Sequence, residues 1–242
     1  MEKVIEVKHL KKSFGKNEVL TDISMVLHRG ENLAVLGKSG TGKSVMIKCI
    51  VRLIEADGGE IWVNGQNISE LDIDALNEMR KKVGYLFQGG ALYDSMTVRE
   101  NLEFPVRRTQ VFKNKAEVKD MVEEALDNVG LLDAINKMPS ELSGGMKKRV
   151  GLARTLILKP EIILYDEPTT GLDPVTAGEI SELIVHVREK YNTSSIIITH
   201  DMKCARMTAD RLKLMADGKF YTEGTFHELS ESENNDVRAY FT

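Results

Sequence analysis

A chain of 242 residues with 42% apolar and 29% charged residues has the size and balance of one large soluble domain, or of one domain carrying an inserted subdomain. Its formal net charge of −4 argues against wrapping nucleic acid electrostatically, so nucleic acid is not an expected partner. The N-terminal MEKVIEVKHLKK carries charges where a signal peptide needs an apolar run, and no apolar stretch approaches the ~18 residues that span a bilayer.

Residues 3–35 read as strands: VIEV, the turn-like FGKNE, then VLTDISMVLHRGENLAVLG, in which NLAVL is nearly all apolar, as a strand buried on both faces should be. The glycine-rich GKSGTGKS follows, and SVMIKCIVRLI predicts a buried helix. GEIWVNG returns as a strand, and VGYLFQ at 83–88 is another short one. From about Gly89 to Pro160 the texture is helical. Thr97 and Glu100 have capping-box spacing. Val118, Met121, Val122, Ala125, Leu126 and Val129 share one helical face, with Gly130 as a stop. LSGG opens the next helix, which runs through VGLARTLIL. After Pro160 the alternation of strand and helix resumes. IILYDEP is a buried strand ending in acids, and Asp173 and Pro174 form an N-cap and first-turn pair before VTAGEISELIVHVREKY. SIIITHD is a further buried strand, and LKLMADGKFYTEG a hairpin with an Asp-Gly turn. The tail from Thr225 is polar and low in signal, with a helix as one reading. Cys49 and Cys204 sit in helical-looking apolar stretches without a C-x-x-C, and read as reduced, partly buried thiols of a cytosolic protein. The basic clusters RKK at 80–82, RR at 107–108 and KKR at 147–149 read most simply as solvated faces, and KKR could also add positive potential near a nucleotide held by another copy.

GKSGTGKS fits G-x-x-x-x-G-K-[ST] completely, between a strand and a helix. The residue types suit phosphate. The backbone from Gly37 through Ser39, Gly40, Thr41 and Gly42 wraps the anion, Lys43 neutralises the β- and γ-phosphates, and the Ser44 hydroxyl is a Mg²⁺ ligand. In an open α/β sheet the carboxyl ends of the strands meet beside such a loop. Asp166 would hold Mg²⁺ there, directly or through water, and Glu167 would polarise the attacking water. His200 closes SIIIT at the same edge, within reach of a γ-phosphate. Gln88 closes VGYLF likewise, and its amide could orient water or touch Mg²⁺. The expected fold is therefore α/β: a P-loop NTPase core with an N-terminal antiparallel β subdomain and an inserted helical subdomain. Within a single domain spanning 1–242, the core covers 1–88 and 161–225, the insert 89–160 and a short tail 226–242.

ELSGGMKKR, at 141–149, is a second candidate anion site, with glycines and positive charge at a helix start. Taken alone, LSGG is more often a plain helix start with Ser143 as N-cap. An insert cannot easily fold back onto phosphates that its own loop encloses. In a head-to-tail pair, Ser143, Gly144 and Gly145 could cap a nucleotide held by the other copy, and the two-fold geometry closes. Taken together, GKSGTGKS, Gln88, LSGG, IILYDEP, GLD and His200 resemble the nucleotide-binding subunit of ABC transporters over essentially the whole chain. The resemblance implies an ATPase using ATP and Mg²⁺, working as a homodimer on a separate membrane permease at the cytoplasmic face of the inner membrane. It implies that Phe14 stacks on adenine, although a phenylalanine there could equally be core. It also implies that Asp173 couples the two sites of the dimer, alongside its N-cap role. Most of the family reads LSGGQ where this chain has Met146, whose thioether cannot make an amide's hydrogen bonds. LFQGGALYDSMTVRENLEFPVRR further resembles the Mla-type ATPases, which implies phospholipid or related lipid cargo and an MCE-domain partner. The permease is expected to dock near Gln88 to Met96, on Leu92, Tyr93 and Met96, unless these three pack inside the insert. The alternative is an ATPase of this class without a permease, or one serving another cargo. Long coiled-coil inserts, tandem halves or strong basic patches would favour a permease-free ATPase, and the sequence has none of them.

Overall fold

Strands β1 (Lys3–Phe14) and β2 (Asn17–His28) pair antiparallel across a two-residue turn and begin the computed structural model, which describes residues 1–109, 112 and 114–241. After β3 (Asn32–Leu36) and α1 (Lys43–Ile50), β4 (Gly58–Val63) returns antiparallel to β1, and β5 (Gln66–Asn67) pairs with β4. Then come α2 (Ile73–Lys81), β6 (Val83–Leu86), α3 (Val98–Thr109), α4 (Lys115–Asp127) and α5 (Gly144–Leu156). The last part consists of β7 (Ile162–Asp166), α6 (Pro174–Tyr191), β8 (Ser194–Ile198), α7 (Met202–Thr208), the hairpin β9 (Arg211–Ala216) and β10 (Lys219–Gly224), and two short helices, α8 (Phe226–Ser230) and α9 (Asn235–Arg238).

The strands line up as β5-β4-β1-β2-β10-β9-β3-β8-β7-β6. The β9-β3-β8-β7-β6 half is parallel, and every residue of β3, β7 and β8 is buried. That burial on both faces is why these segments are continuous apolar runs rather than alternating ones. Register places Leu164 beside Ile196 and Asp166 beside Ile198, so the carboxyl ends of β7 and β8 stand level. The strand ends that carry the phosphate loop, the acids, Gln88 and His200 therefore share one edge.

A main cluster joins β1, β2, β4, α1 and α2 to one face of the sheet, and a second one, with Ile163, Tyr165 and Ile197, holds α6 on the other. The insert has its own cluster of Val98, Leu102, Val106, Val118, Val122, Ala125, Leu126 and Val150. Each of the valines and leucines contributes about 1.5 to 3 kcal/mol on leaving water. Helix α5 belongs to both bodies: Val150 and Ala153 pack into the insert, whereas Leu152 and Leu156 pack against the sheet.

Several elements differ from their expected form. The helix expected over SVMIKCIVRLI stops at Ile50, and α2, capped by Asp72 on Ala75, follows where no helix was expected. The Thr97–Glu100 capping box, by contrast, forms as expected, with the Glu100 carboxylate accepting from Thr97 N at 2.8 Å. The solvated-face expectation fails at two lysine- and arginine-rich sites. Arg80 turns inward and donates to the Val51 and Arg52 carbonyls, and Lys148 is buried. The tail takes its helical reading as α8 and α9, and Leu229 and Val237 pack against Leu36, Leu212 and Leu214.

Candidate nucleotide site

The phosphate loop follows from how β3 meets α1. Gly42 is the N-cap residue of α1 at φ +98°, and a Cβ there would lie 2.8 Å from Leu20 Cδ2 and 2.9 Å from Val19 O. Only glycine fits, and no side chain caps the helix, so its first N–H groups point at the loop as an anion site. Within the loop, the Thr41 hydroxyl donates to Lys38 O at 3.0 Å. Lys43 is 6% exposed, and its ammonium donates to Gly37 O at 2.8 Å and Lys38 O at 2.9 Å. Burial pushes its pKa down, against the pull of Glu167 and Asp166.

The Ser44 hydroxyl donates to Asp166 Oδ1 at 2.5 Å, and the Tyr85 phenol to Asp166 Oδ2 at 3.0 Å. Burial, with the negative charge of Asp166, pushes the Tyr85 phenol far above its usual range, so it stays a donor. An alcohol and a carboxylate held together this way are the hard oxygen donors that Mg²⁺ prefers, and its usual site needs only one or two protein ligands beside phosphate oxygens. The residues thus fit the ion: Ser44 and Asp166 would hold it, and it would neutralise phosphate charge.

Glu167 stands one residue beyond β7 at φ +52°, where residues other than glycine are uncommon. Its amide donates to Ile198 O at 2.9 Å. Its Oε2 accepts from the Thr170 hydroxyl and from His200 Nδ1, both at 2.8 Å. Oε1 takes part in no hydrogen bond among the described residues, and remains available to a water. A cleft of about 740 Å³ is lined by Phe14, Ser39, Gly40, Gly42, Lys43, Ser44, Gln88, Glu167, Thr170 and His200. Phe14 is 49% exposed at its rim, so the core reading of this ring is overturned.

Ser143, Gly144, Gly145 and Asp173 do not line this cleft. Ser143 is exposed and caps α5 by accepting from Met146 N at 3.2 Å. Gly145 is buried, where a Cβ would come within 2.4 Å of Thr176 Cγ2, so its bareness lets α5 approach the start of α6. Asp173 caps α6, accepting from Val175 N, Thr176 N and the Thr176 hydroxyl; these bonds, the hydroxyl's first, hold its pKa down. Met146 packs against the insert cluster. Tyr85, Thr170 and Lys148 escaped the sequence reading. Thr170 alone had a signal, standing three residues after Glu167 in the same loop.

A phosphate loop, an oxygen pair for Mg²⁺ and a poised carboxylate on one sheet edge define a P-loop nucleotide hydrolase. Comparison with known proteins agrees: the family described as ABC transporter matches residues 20–170. The chain is 38% identical over 232 residues to the intermembrane phospholipid transport system ATP-binding protein MlaF of Haemophilus influenzae, covering 96% of this chain and 87% of that protein. It is 40% identical over 236 residues to the probable ribonucleotide transport ATP-binding protein mkl of Mycobacterium leprae, covering 98% of this chain and 68% of that protein. Against the mycobacterial relatives, then, it spans about two thirds of their length. Among solved structures it superposes with a TM-score of 0.84, at 30% identity, on the dimeric post-hydrolysis state of the ATP-binding cassette MJ0796 bound to ADP and Pi, covering 91% of this chain and 98% of that one. The chain belongs to the ABC transporter family as its ATP-binding subunit, an ATP-hydrolysing enzyme that uses ATP and Mg²⁺.

Proposed function

We propose that the chain works as a homodimer that closes on two ATP–Mg²⁺ and drives a membrane permease carrying phospholipid or a related lipid. The observation that carries the chemistry is the Glu167 carboxylate: its Oε2 is held by Thr170 and His200, its Oε1 makes no hydrogen bond among the described residues, and the residue lines the same cleft as Lys43. In this reading Phe14 stacks on adenine. Backbone N–H groups from Gly37 to Gly42 and the Lys43 ammonium hold the phosphates. Gln88 orients the water or meets the metal beside Ser44 and Asp166. Glu167 accepts a proton from the attacking water, and His200 fixes the carboxylate. Ser143, Gly144 and Gly145 cap the γ-phosphate of the other copy, and Asp173 couples the two sites.

For docking, the stretch after Gln88 is supported by a rigid loop. Buried Asn101 accepts from Tyr93 N and donates to the Tyr93, Met96 and Thr97 carbonyls. Tyr93 and Phe104 are exposed with ring centroids 5.0 Å apart, whereas Leu92 packs against the insert. We therefore keep the docking face on Tyr93 and Met96, extend it to Phe104 and remove Leu92 from it. No helix among the described residues is long and apolar enough to cross a membrane, so a permease would supply the membrane path and hold the subunit at the cytoplasmic face. The lipid cargo, and with it an MCE-domain partner, rests on the likeness to MlaF.

The test is purification from solubilised membranes, identification of the co-purifying permease, and reconstitution. ATP-dependent movement of labelled phospholipid, lost with Glu167→Gln, supports the reading. A permease that moves ribonucleotides or amino acids overturns the cargo and leaves the ATPase standing. Tyr93→Glu is expected to keep the isolated subunit's ATPase rate and lose the permease.

A further inference from the structure

Lys148 is a charged side chain that the ATPase chemistry above does not use. It lies on α5 five residues past the Ser143 cap and is 5% exposed. Lysines are almost never buried this far without a partner. Its ammonium donates to the backbone carbonyl of Glu167 at 3.0 Å. Glu167 and Asp166 both attract it, opposing the downward push that burial gives its pKa.

The bond lands where the backbone needs support. Glu167 sits at φ +52°, and such a conformation persists only when its surroundings over-determine it. One peptide neighbour is fixed by Glu167 N donating to Ile198 O. The carbonyl accepts from Thr170 N at a long 3.3 Å and from Lys148 at the shorter 3.0 Å. The same helix makes two further contacts beside the cleft's surroundings. Its first residue follows the Ser143 cap. Near its end, Arg154 donates to Ala91 O at 2.8 Å and Gly90 O at 3.2 Å, just beyond Gln88.

We infer that Lys148 is a positioning residue: its bond to the Glu167 carbonyl holds that residue in the left-handed conformation that aims its carboxylate into the cleft, so that α5 sets the geometry of water activation. The inference rests on Glu167 being the group that accepts the water's proton. Lys148 does not line the cleft and offers nothing to the nucleotide, so its loss should alter turnover and spare binding.

The experiment compares Lys148→Met, Lys148→Gln and Lys148→Arg in the full chain, measuring kcat, KM for ATP–Mg²⁺, nucleotide affinity by equilibrium titration, and Tm. Lys148→Met removes the donor at similar length. It is expected to lower kcat by about 10- to 100-fold, the cost of a small misplacement of a catalytic group, with KM and nucleotide affinity within about threefold. Arg keeps a cationic donor and is expected to recover most of kcat, with Gln between the two. A Met variant within twofold of the parent kcat overturns the inference. So does a loss of kcat matched by an equal loss of affinity and not relieved by Arg. A Met variant that fails to fold while Gln and Arg keep parental kcat makes Lys148 a fold residue and overturns it as well. Glu167→Gln, run in parallel, separates the two claims. If it still turns over, the base assignment fails; if it is inactive while Lys148→Met is normal, only the positioning claim fails.

Discussion

The two glycine-rich loops of this chain end in opposite situations. The loop at 37–42 is enclosed by its own chain. Gly42 is jammed against Val19 and Leu20, Lys43 is buried, and the cleft walls come from the ends of β1, β3, β6, β7 and β8. The loop at 143–145 opens outward, with Ser143 and Gly144 exposed and its one buried glycine spent on packing α5 against Thr176. Both present helix N-termini, but that of α1 has no side-chain cap whereas Ser143 takes up the Met146 N–H of α5. The difference is whether the chain completes the site. The first loop is enclosed within one chain, whereas the second faces outward and, in the proposed dimer, would meet a nucleotide held by a second copy.

The comparison breaks most sharply if chemistry does not reside at the enclosed loop. Glu167→Gln keeps the shape of the side chain but cannot accept a proton. Turnover should fall by about 10²- to 10⁴-fold while equilibrium titration shows nucleotide binding retained. A variant that hydrolyses near the parent rate moves the base elsewhere. Next in size is the exposed loop. Ser143→Arg should lower turnover by about 10²-fold, comparable to losing one transition-state donor, without weakening nucleotide binding by the monomer. Mixing it with Lys43→Ala subunits yields dimers with one doubly defective site and one intact site, and partial recovery of activity identifies sharing in trans. A monomer with full activity across a wide dilution series removes the need for a second copy.

Two smaller effects sharpen the contrast. Phe14→Ala, at the rim of the cleft, should cost about 1 to 3 kcal/mol of nucleotide binding if the ring stacks on the base, read as a rise in Kd with Tm unchanged. Gly145→Ala should do the reverse. Its methyl meets Thr176 Cγ2 at 2.4 Å, so overpacking should cost about 1 to 3 kcal/mol of stability and lower Tm, with nucleotide affinity at the first loop preserved.

Most of the enclosed site was legible because its signals are local. A glycine-rich string between a strand and a helix, and acids at the end of a buried apolar run, each announce themselves within ten residues. What was missed depends on packing between distant segments. Tyr85 meets Asp166 across the β6–β7 pair, and Lys148 meets Glu167 only because α5 lies against the sheet edge. In sequence, Lys148 is one of three consecutive basic residues, and nothing in such a run says which one turns inward. The short α2 escaped for another reason: its cap, Asp72, follows another acidic turn-like stretch, and only Leu76 and Met79 are buried along its length, too few for a clear stripe.

Met146 is the position where the exposed loop departs from the LSGGQ pattern, and it carries the smallest expected effect. Its amide donates to the Ser143 cap, a contact that any side chain permits. Its thioether packs half-buried against the insert cluster, so the side chain faces the insert's core rather than the surface on which Ser143 lies. If phosphate contacts at this loop come from the serine, the backbone N–H groups and the helix end, Met146→Gln should leave ATP turnover within about twofold, which corresponds to less than 0.5 kcal/mol in the barrier. The amide would lose the apolar contact and gain a half-buried polar group, so stability should drop by about 1 kcal/mol, seen as a fall in Tm of a few degrees or less in a domain of this size. A gain of severalfold in turnover would mean that the missing amide limits this subunit. The exposed loop would then be tuned through its fifth residue, and the separation between a loop that binds by backbone and an insert that merely supports it would have to be redrawn.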